Sequence, residues 1–215
     1  MLRMRLVLPL AAVAAVLSYA APSRAQNVVD EWSSVKVPPA PALKSVTVDP
    51  KTTALLMMDF VKQICSAKRP RCLADVPNLV KLLGEARAHG LLVIHTTIPP
   101  VPIADTLPAL AVKGNEPVIA AWVNKFTLVD KDTGLEKLLK DHGITTIIAS
   151  GTNVNGAELY TASAASLRGF HVIVPVDAMP GSSAYEEQYV AYNFVHAPVV
   201  SSKITLTKID MIKFK

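Results

Sequence analysis

The strongest constraint on the fold of this chain is a set of short, continuously apolar runs, β-branched in most cases: Ala54–Met58 (ALLMM), Leu91–Ile98 (LLVIHTTI), Val118–Val123 (VIAAWV), Thr145–Ser150 (TTIIAS), Phe170–Val176 (FHVIVPV) and Lys203–Lys208 (KITLTK). Most lack the polar–apolar alternation of a half-exposed strand, so they read as strands buried on both faces. Helical segments separate most of them. Asp75 caps and Pro77 opens a helix to about Ala88, closed by Gly90; Leu135–His142 is stopped by Gly143; Gly156–Arg168 is Ala-rich and ends at Gly169; Ala184–His196 is the last. Strand–helix alternation of this kind builds a three-layer α/β/α, Rossmann-like domain with a mostly parallel sheet of about six strands.

Length and composition narrow the class further. A chain of 215 residues, 51% hydrophobic and 18% charged, buries roughly 70% of its unfolded surface as one domain. Disorder, collagen and a disulfide-dense mini-scaffold are excluded. Three of the 22 basic side chains, Arg3, Arg5 and Arg24, fall in the first 25 residues with no acid beside them, leaving 19 against 17 acidic ones. That balance gives no basic groove, so no nucleic-acid partner is expected.

The first 25 residues read as a secretory signal: a cationic Met1–Arg5, an apolar Leu6–Leu17, and Ser23-Arg24-Ala25 before a cleavage at Gln26. About a dozen apolar residues are short of the roughly 20 of a spanning helix. The mature protein is therefore expected to be periplasmic or secreted, without stable membrane insertion. Residues 26–50, rich in Pro and Val, read as an extended N-terminal arm, and 51–215 as the α/β domain. Export also bears on Cys65 and Cys72. Their spacing is not a zinc spacing, and in an oxidising compartment they are expected to form a disulfide, worth roughly 2.5 kcal/mol for so short a loop. The alternative is a free, nucleophilic Cys65 whose pKa is lowered by the basic residues around it.

Ligands of open parallel sheets bind beyond the carboxyl ends of the strands. Those ends carry Asp59, His95, the turn Gly151–Asn155 and Asp177. A carboxylate directly after five apolar residues is costly unless it is functional or hydrogen-bonded, as it is when it caps the following loop. In Gly151-Thr-Asn-Val-Asn-Gly-Ala157 a strand runs into a Gly- and Asn-rich turn and then a helix, so the backbone N–H groups of Asn153, Val154, Asn155, Gly156 and Ala157 are candidates for holding an anionic group. His95 is a candidate for the pocket wall. Glu158 fits the helix dipole without a catalytic role. Trp32 and Trp122 read as packing residues.

These residues together resemble the isochorismatase-like hydrolases, the cysteine hydrolases of the nicotinamidase type, from about Thr52 to Thr207. The landmarks are the apolar strand into Asp59, Leu135–Ile144 (LEKLLKDHGI), the Gly151–Phe170 strand–turn–helix and Val174-Pro-Val-Asp177. In that family the turn reads G-x-x-T-N-x-C-V-x-x-T. Aligning Gly151, Thr161 and Gly169-Phe170 without a gap sets Ala157 at the nucleophilic cysteine. The family's lysine, about six residues before a Phe, falls on Ala120. Lys113 and Lys125 lie off the motif, so of the triad only Asp59 carries over.

The resemblance implies the same fold, a small-molecule substrate, no cofactor and a homo-oligomer; Ala162, Ala164 and Ala165 suggest close helix packing, against the sheet or a partner subunit. The nicotinamidase metal ligands have no match, since Asp105 is followed by no His until His142, so no metal is expected. Isochorismatases that cleave a vinyl ether use the aspartate as a general acid and need no thiolate. The expected function is therefore an exported hydrolase of a small, anionic vinyl ether or amide, with Asp59 as the acid; the alternative is a non-catalytic binding protein on the same fold.

Overall fold

A computed structural model describes residues 27–215 of the chain. The expected signal segment, 1–25, lies outside the described residues. Residues 27–37 belong to one unit and Pro38–Lys215 form a second, compact one. Within the first, Asn27 caps a short helix, α1 (Val28–Glu31), by accepting the Val29 and Asp30 N–H groups, and a tight turn at Trp32–Ser34 follows. This part of the arm is helical rather than extended, because an Asn cap followed by Asp30 and Glu31 favours a helical first turn.

The compact unit contains β1 (Val46–Val48), β2 (Thr53–Met58), α2 (Pro70–Ala88), β3 (Leu92–Thr97), β4 (Val118–Ala120), the hairpin β5 (Thr127–Leu128) and β6 (Lys131–Asp132), α3 (Leu135–Asp141), β7 (Thr146–Gly151), α4 (Leu159–Leu167), β8 (His171–Pro175), α5 (Ala184–His196), β9 (Ile204–Thr207) and β10 (Ile212–Phe214). Six strands form one parallel sheet in the order β4-β3-β2-β7-β8-β9. On one face Ala54, Leu56 and Met58 pack with Leu135 and Leu139 of α3, Ala162 and Ala165 of α4, and Phe194 of α5. On the other, Leu55 and Met57 meet Leu79, Leu82, Leu83 and Ala86 of α2. This is the expected three-layer arrangement, and β2 is buried on both faces because it lies mid-sheet. The alanines of α4 pack into the core of their own domain.

Two elements differ from expectation. Helix α2 starts at Pro70, well before Asp75, and Pro77 lies inside it. Pro70 supplies an equally good first-turn proline. Cys72 is bonded to Cys65, so the earlier turns are drawn onto the core, and Pro77 removes only one helical donor. The parallel pair β1–β10 joins segments far apart in sequence and too short for a periodic signal.

Candidate active site

Starting from β2, the chain adds β3 and β4 on one side and β7, β8 and β9 on the other. The order in which strands are added therefore reverses between β2 and β7, and in open parallel sheets ligands bind beyond the carboxyl ends of the strands at such a switch point. Asp59 follows β2 directly, with φ 61°. A non-glycine residue in the left-handed region is uncommon, and such positions concentrate where a side chain must be aimed. Its carbonyl accepts the Val61 N–H at 2.7 Å, while Thr152 N–H donates to Met58 O at 3.1 Å and holds the start of the second rim against β2.

Asp59 is 2% exposed and Lys125 is fully buried. Lys125 Nζ lies 2.6 Å from Asp59 Oδ2, and it also donates to the carbonyls of Ala121 at 2.9 Å and Trp122 at 2.5 Å. Thr96 Oγ1 donates to Asp59 Oδ1 at 2.6 Å. Burial is the largest influence on Asp59 and raises its pKa; Lys125 and Thr96 pull it down only in part. Burial likewise lowers the Lys125 pKa against the pull of Asp59. Burial thus works against the charge on both partners while each supports the charge on the other, so the two titrate as a coupled pair.

Lys125 is thus a site residue that the sequence reading left off the motif. The segment from Ala121 to Lys125 curls so that the lysine folds back over its own carbonyls, a reach that register matching does not capture. Its signal was present as a lysine directly before the buried Phe126. Lys113 lies elsewhere, its backbone N–H donating to Glu116 at 2.8 Å.

The turn after β7 forms a single π-helical turn, Val154–Glu158, that runs into α4, where the sequence suggested one helix from Gly156. Such turns recur at functional sites. Ala157 is buried among the core residues of this face. Two of the expected anion-holding amides are already bonded: Val154 N–H donates to Pro180 O at 3.0 Å and Gly156 N–H to Asn153 O at 2.9 Å. The Asn153 side chain donates to Asn155 Oδ1 at 2.8 Å and, at 3.3 Å each, to Ser182 and Glu186. It therefore braces the turn.

Glu158 departs most from expectation. Its side chain is fully buried with neither carboxyl oxygen hydrogen-bonded, and burial alone pushes its pKa up to about 8. It is a neutral acid in the core, since its position in the turn directs it at the sheet rather than along the helix surface.

His95 is not brought to Asp59. Neighbouring residues of a strand face opposite sides. With Thr96 turned to Asp59, His95 points the other way and bonds Glu116 at 2.9 Å. Glu116 is in turn gripped by Arg87 at 2.7 Å, a clamp on the loop before β4. Asp177 accepts the Ile209 N–H at 3.0 Å and serves as a cap. Cys65 is bonded to Cys72, so it offers no free thiol. Trp122 is half-exposed rather than packed. Among the described residues, no three His, Cys, Asp or Glu side chains converge as a metal-binding group.

Fold and site define a doubly wound α/β protein with a buried Asp59–Lys125 pair at the switch point. The isochorismatase domain matches residues 53–203, and the chain belongs to that family. Its fold is that of an isochorismatase family protein from Desulfovibrio vulgaris subsp. vulgaris str. Hildenborough, at 21% identity and TM-score 0.64 over 74% of this chain and 95% of that one. A cysteine hydrolase from Pseudomonas syringae pv. phaseolicola 1448A is similar at 19% identity and TM-score 0.64, over 78% and 93%. So is N-carbamoylsarcosine amidase from Thermoplasma acidophilum, at 18% identity and TM-score 0.58, over 73% and 96%. No curated protein sequence matches the chain.

Proposed function

We propose that this protein is an exported isochorismatase-family hydrolase that acts on a small anionic vinyl ether without a cysteine nucleophile, with Asp59 as the general acid. The observation that carries the reading is the buried Asp59, raised in pKa by desolvation while Lys125 and Thr96 fix both of its oxygens. In the proposed reaction the carboxyl proton goes to the terminal carbon of the enol ether. Water adds to the resulting oxocarbenium carbon and gives up a proton, which returns to Asp59. The hemiketal then expels the alcohol and leaves a ketone. A carboxyl whose hold on its proton is strengthened by burial, beside a lysine, suits this sequence. An amide substrate fits less well, because alanine at 157 cannot form a thioester. With Val154 and Gly156 already bonded, the anion-holding role falls to the N–H groups of Asn153, Asn155 and Ala157. Export is supported by the N-terminal charge and apolar pattern and by the use of both cysteines in a disulfide.

The test is a panel of small vinyl ethers and amides followed by Asp59→Asn. Turnover is expected to fall by roughly 10² to 10⁴, the range for one acid–base group, in protein whose circular dichroism shows it folded. Activity surviving within about threefold removes Asp59 from the mechanism. Binding without turnover across the panel favours the binding-protein alternative.

A further inference from the structure

Both sides of the switch point, the backbone after Asp59 and the turn after β7, are tied to one short segment of chain. On the first rim, the backbone after Asp59 winds back on itself: Ile64 and Cys65 N–H donate to Val61 O at 2.9 and 2.8 Å, and Cys65 is bonded to Cys72 in the first turn of α2. Arg71, the residue before Cys72, reaches across to α5. Its Nε donates to Glu187 Oε1 at 2.7 Å and its Nη2 to Oε2 of the same carboxylate, the planar two-point grip that arginine favours.

Glu187 carries the tie onward. Its Oε1 also accepts the Gly181 N–H at 3.0 Å. The neighbouring Pro180 supplies the carbonyl that Val154 N–H bonds at 3.0 Å, and Asn153 reaches Ser182 and Glu186 of the same segment. The two loops are in close contact here. A Cβ on Gly181 would stand 2.8 Å from Val154 Cγ1 and 3.2 Å from Glu186 Cβ, so a side chain has no room there and glycine lets the two loops approach. The Val154–Pro180 hydrogen bond, beside Gly181, therefore couples the placement of the two loops.

We infer that Arg71, anchored by the Cys65–Cys72 bond, is a positioning residue that sets the Asn153–Ala157 turn through Glu187 and Gly181. The disulfide then does more than shorten the unfolded chain. It fixes the helix start that carries Arg71, so the rim bearing Asp59 and the opposite rim are held in register by one staple. This rests on the placement of the site, not on the hydrolytic reading, and it is tested without a substrate.

The experiment is hydrogen–deuterium exchange on the mature chain, comparing wild type with Arg71→Ala, Arg71→Lys and the Cys65→Ser/Cys72→Ser double variant. Arg71→Ala is expected to raise exchange by about fivefold at 152–158 and 179–183, the scale of one half-exposed ion pair acting on a local opening, with the sheet unchanged. Arg71→Lys keeps the charge and is expected to retain part of the protection. The double serine variant reproduces the change at both segments and adds one at 59–72. A change confined to 59–75 overturns the inference. So does an even rise over the whole sheet, which signals general loss of stability, and so does equal exchange in the alanine and lysine variants.

Discussion

Asp59 and Glu158 are both buried carboxyls on the same face of the sheet, and the contrast between them sharpens the reading of the site. The register places Thr96, Met58 and Gly151 in one row across β3, β2 and β7. At one end of the row, Thr96 donates to Asp59 and Lys125 stands against it. At the other, Gly151 has no side chain, and a Cβ there would lie 3.2 Å from Glu158 Oε2. Burial raises the pKa of both acids, but only Asp59 has partners that oppose it. Burial alone therefore does not make a reactive acid. Asp59 has Lys125 and Thr96 within hydrogen-bond reach to exchange a proton with, whereas the Glu158 carboxyl has no partner.

Removing the partner of Asp59 breaks this contrast most strongly. Lys125→Met leaves the carboxyl buried beside two carbonyls that have lost their donor, and a loss of about 3–5 kcal/mol is expected in denaturant unfolding. The sign of the pH dependence follows from the raised Asp59 pKa. Below the ordinary carboxylate range Asp59 is protonated in both folded and unfolded variant, so the loss is smallest there. It grows as pH rises, because the unfolded chain ionises first. The double variant Asp59→Asn/Lys125→Met removes both charges and is expected to be more stable than Lys125→Met alone above that range. Equal stabilities would show that the carboxyl left without Lys125 carries no burial penalty, and adding Asp59→Asn alone completes the cycle that measures the coupling.

Glu158 gives the same test without a partner. Its folded pKa of about 8 lies above the unfolded value of 4.5, so its contribution is fully present below pH 4.5 and is lost as pH rises through 8. Glu158→Gln keeps the shape and abolishes the titration. Thermal melts of the two proteins are expected to coincide near pH 4, with the variant gaining by a few kcal/mol by pH 9. Parallel melts across that range would mean that Glu158 finds a partner when ionised.

How much of this was legible in the sequence depended on the range of the interaction. The apolar run ending in Asp59 and the Gly-rich turn after TTIIAS carry their meaning locally, and both stand at the switch point. The Lys125–Asp59 contact spans 66 residues and depends on how one loop curls, so spacing to Phe126 misplaced it. His95 and Thr96 were interchangeable as strand-end polar residues until the pleat assigned their faces. Glu158 looked like a surface acid because a π-helical turn rotates the register by a fraction of a turn, which composition does not announce. Pro77 was read as a helix start because the same sequence offers two such prolines, and only the Cys65–Cys72 bond distinguishes them.

The mildest test lies at the other end of the row. Gly151→Ala places a methyl 2.9 Å from Met58 Cβ, 3.0 Å from Met58 Cε and 3.2 Å from Glu158 Oε2. The first of these belongs to a rigid mid-sheet strand and has little freedom to move, while the carboxyl sits on a longer side chain. A cost of about 1–3 kcal/mol is expected from overpacking. If the Glu158 carboxyl is what limits the space, Gly151→Ala combined with Glu158→Ala recovers part of that cost, and the coupling is read from a double-mutant cycle in urea. If Met58 limits it, the two losses simply add. Additivity would mean that Gly151 is small for the sake of strand packing, and that the acid occupies its place without having shaped the strand beside it.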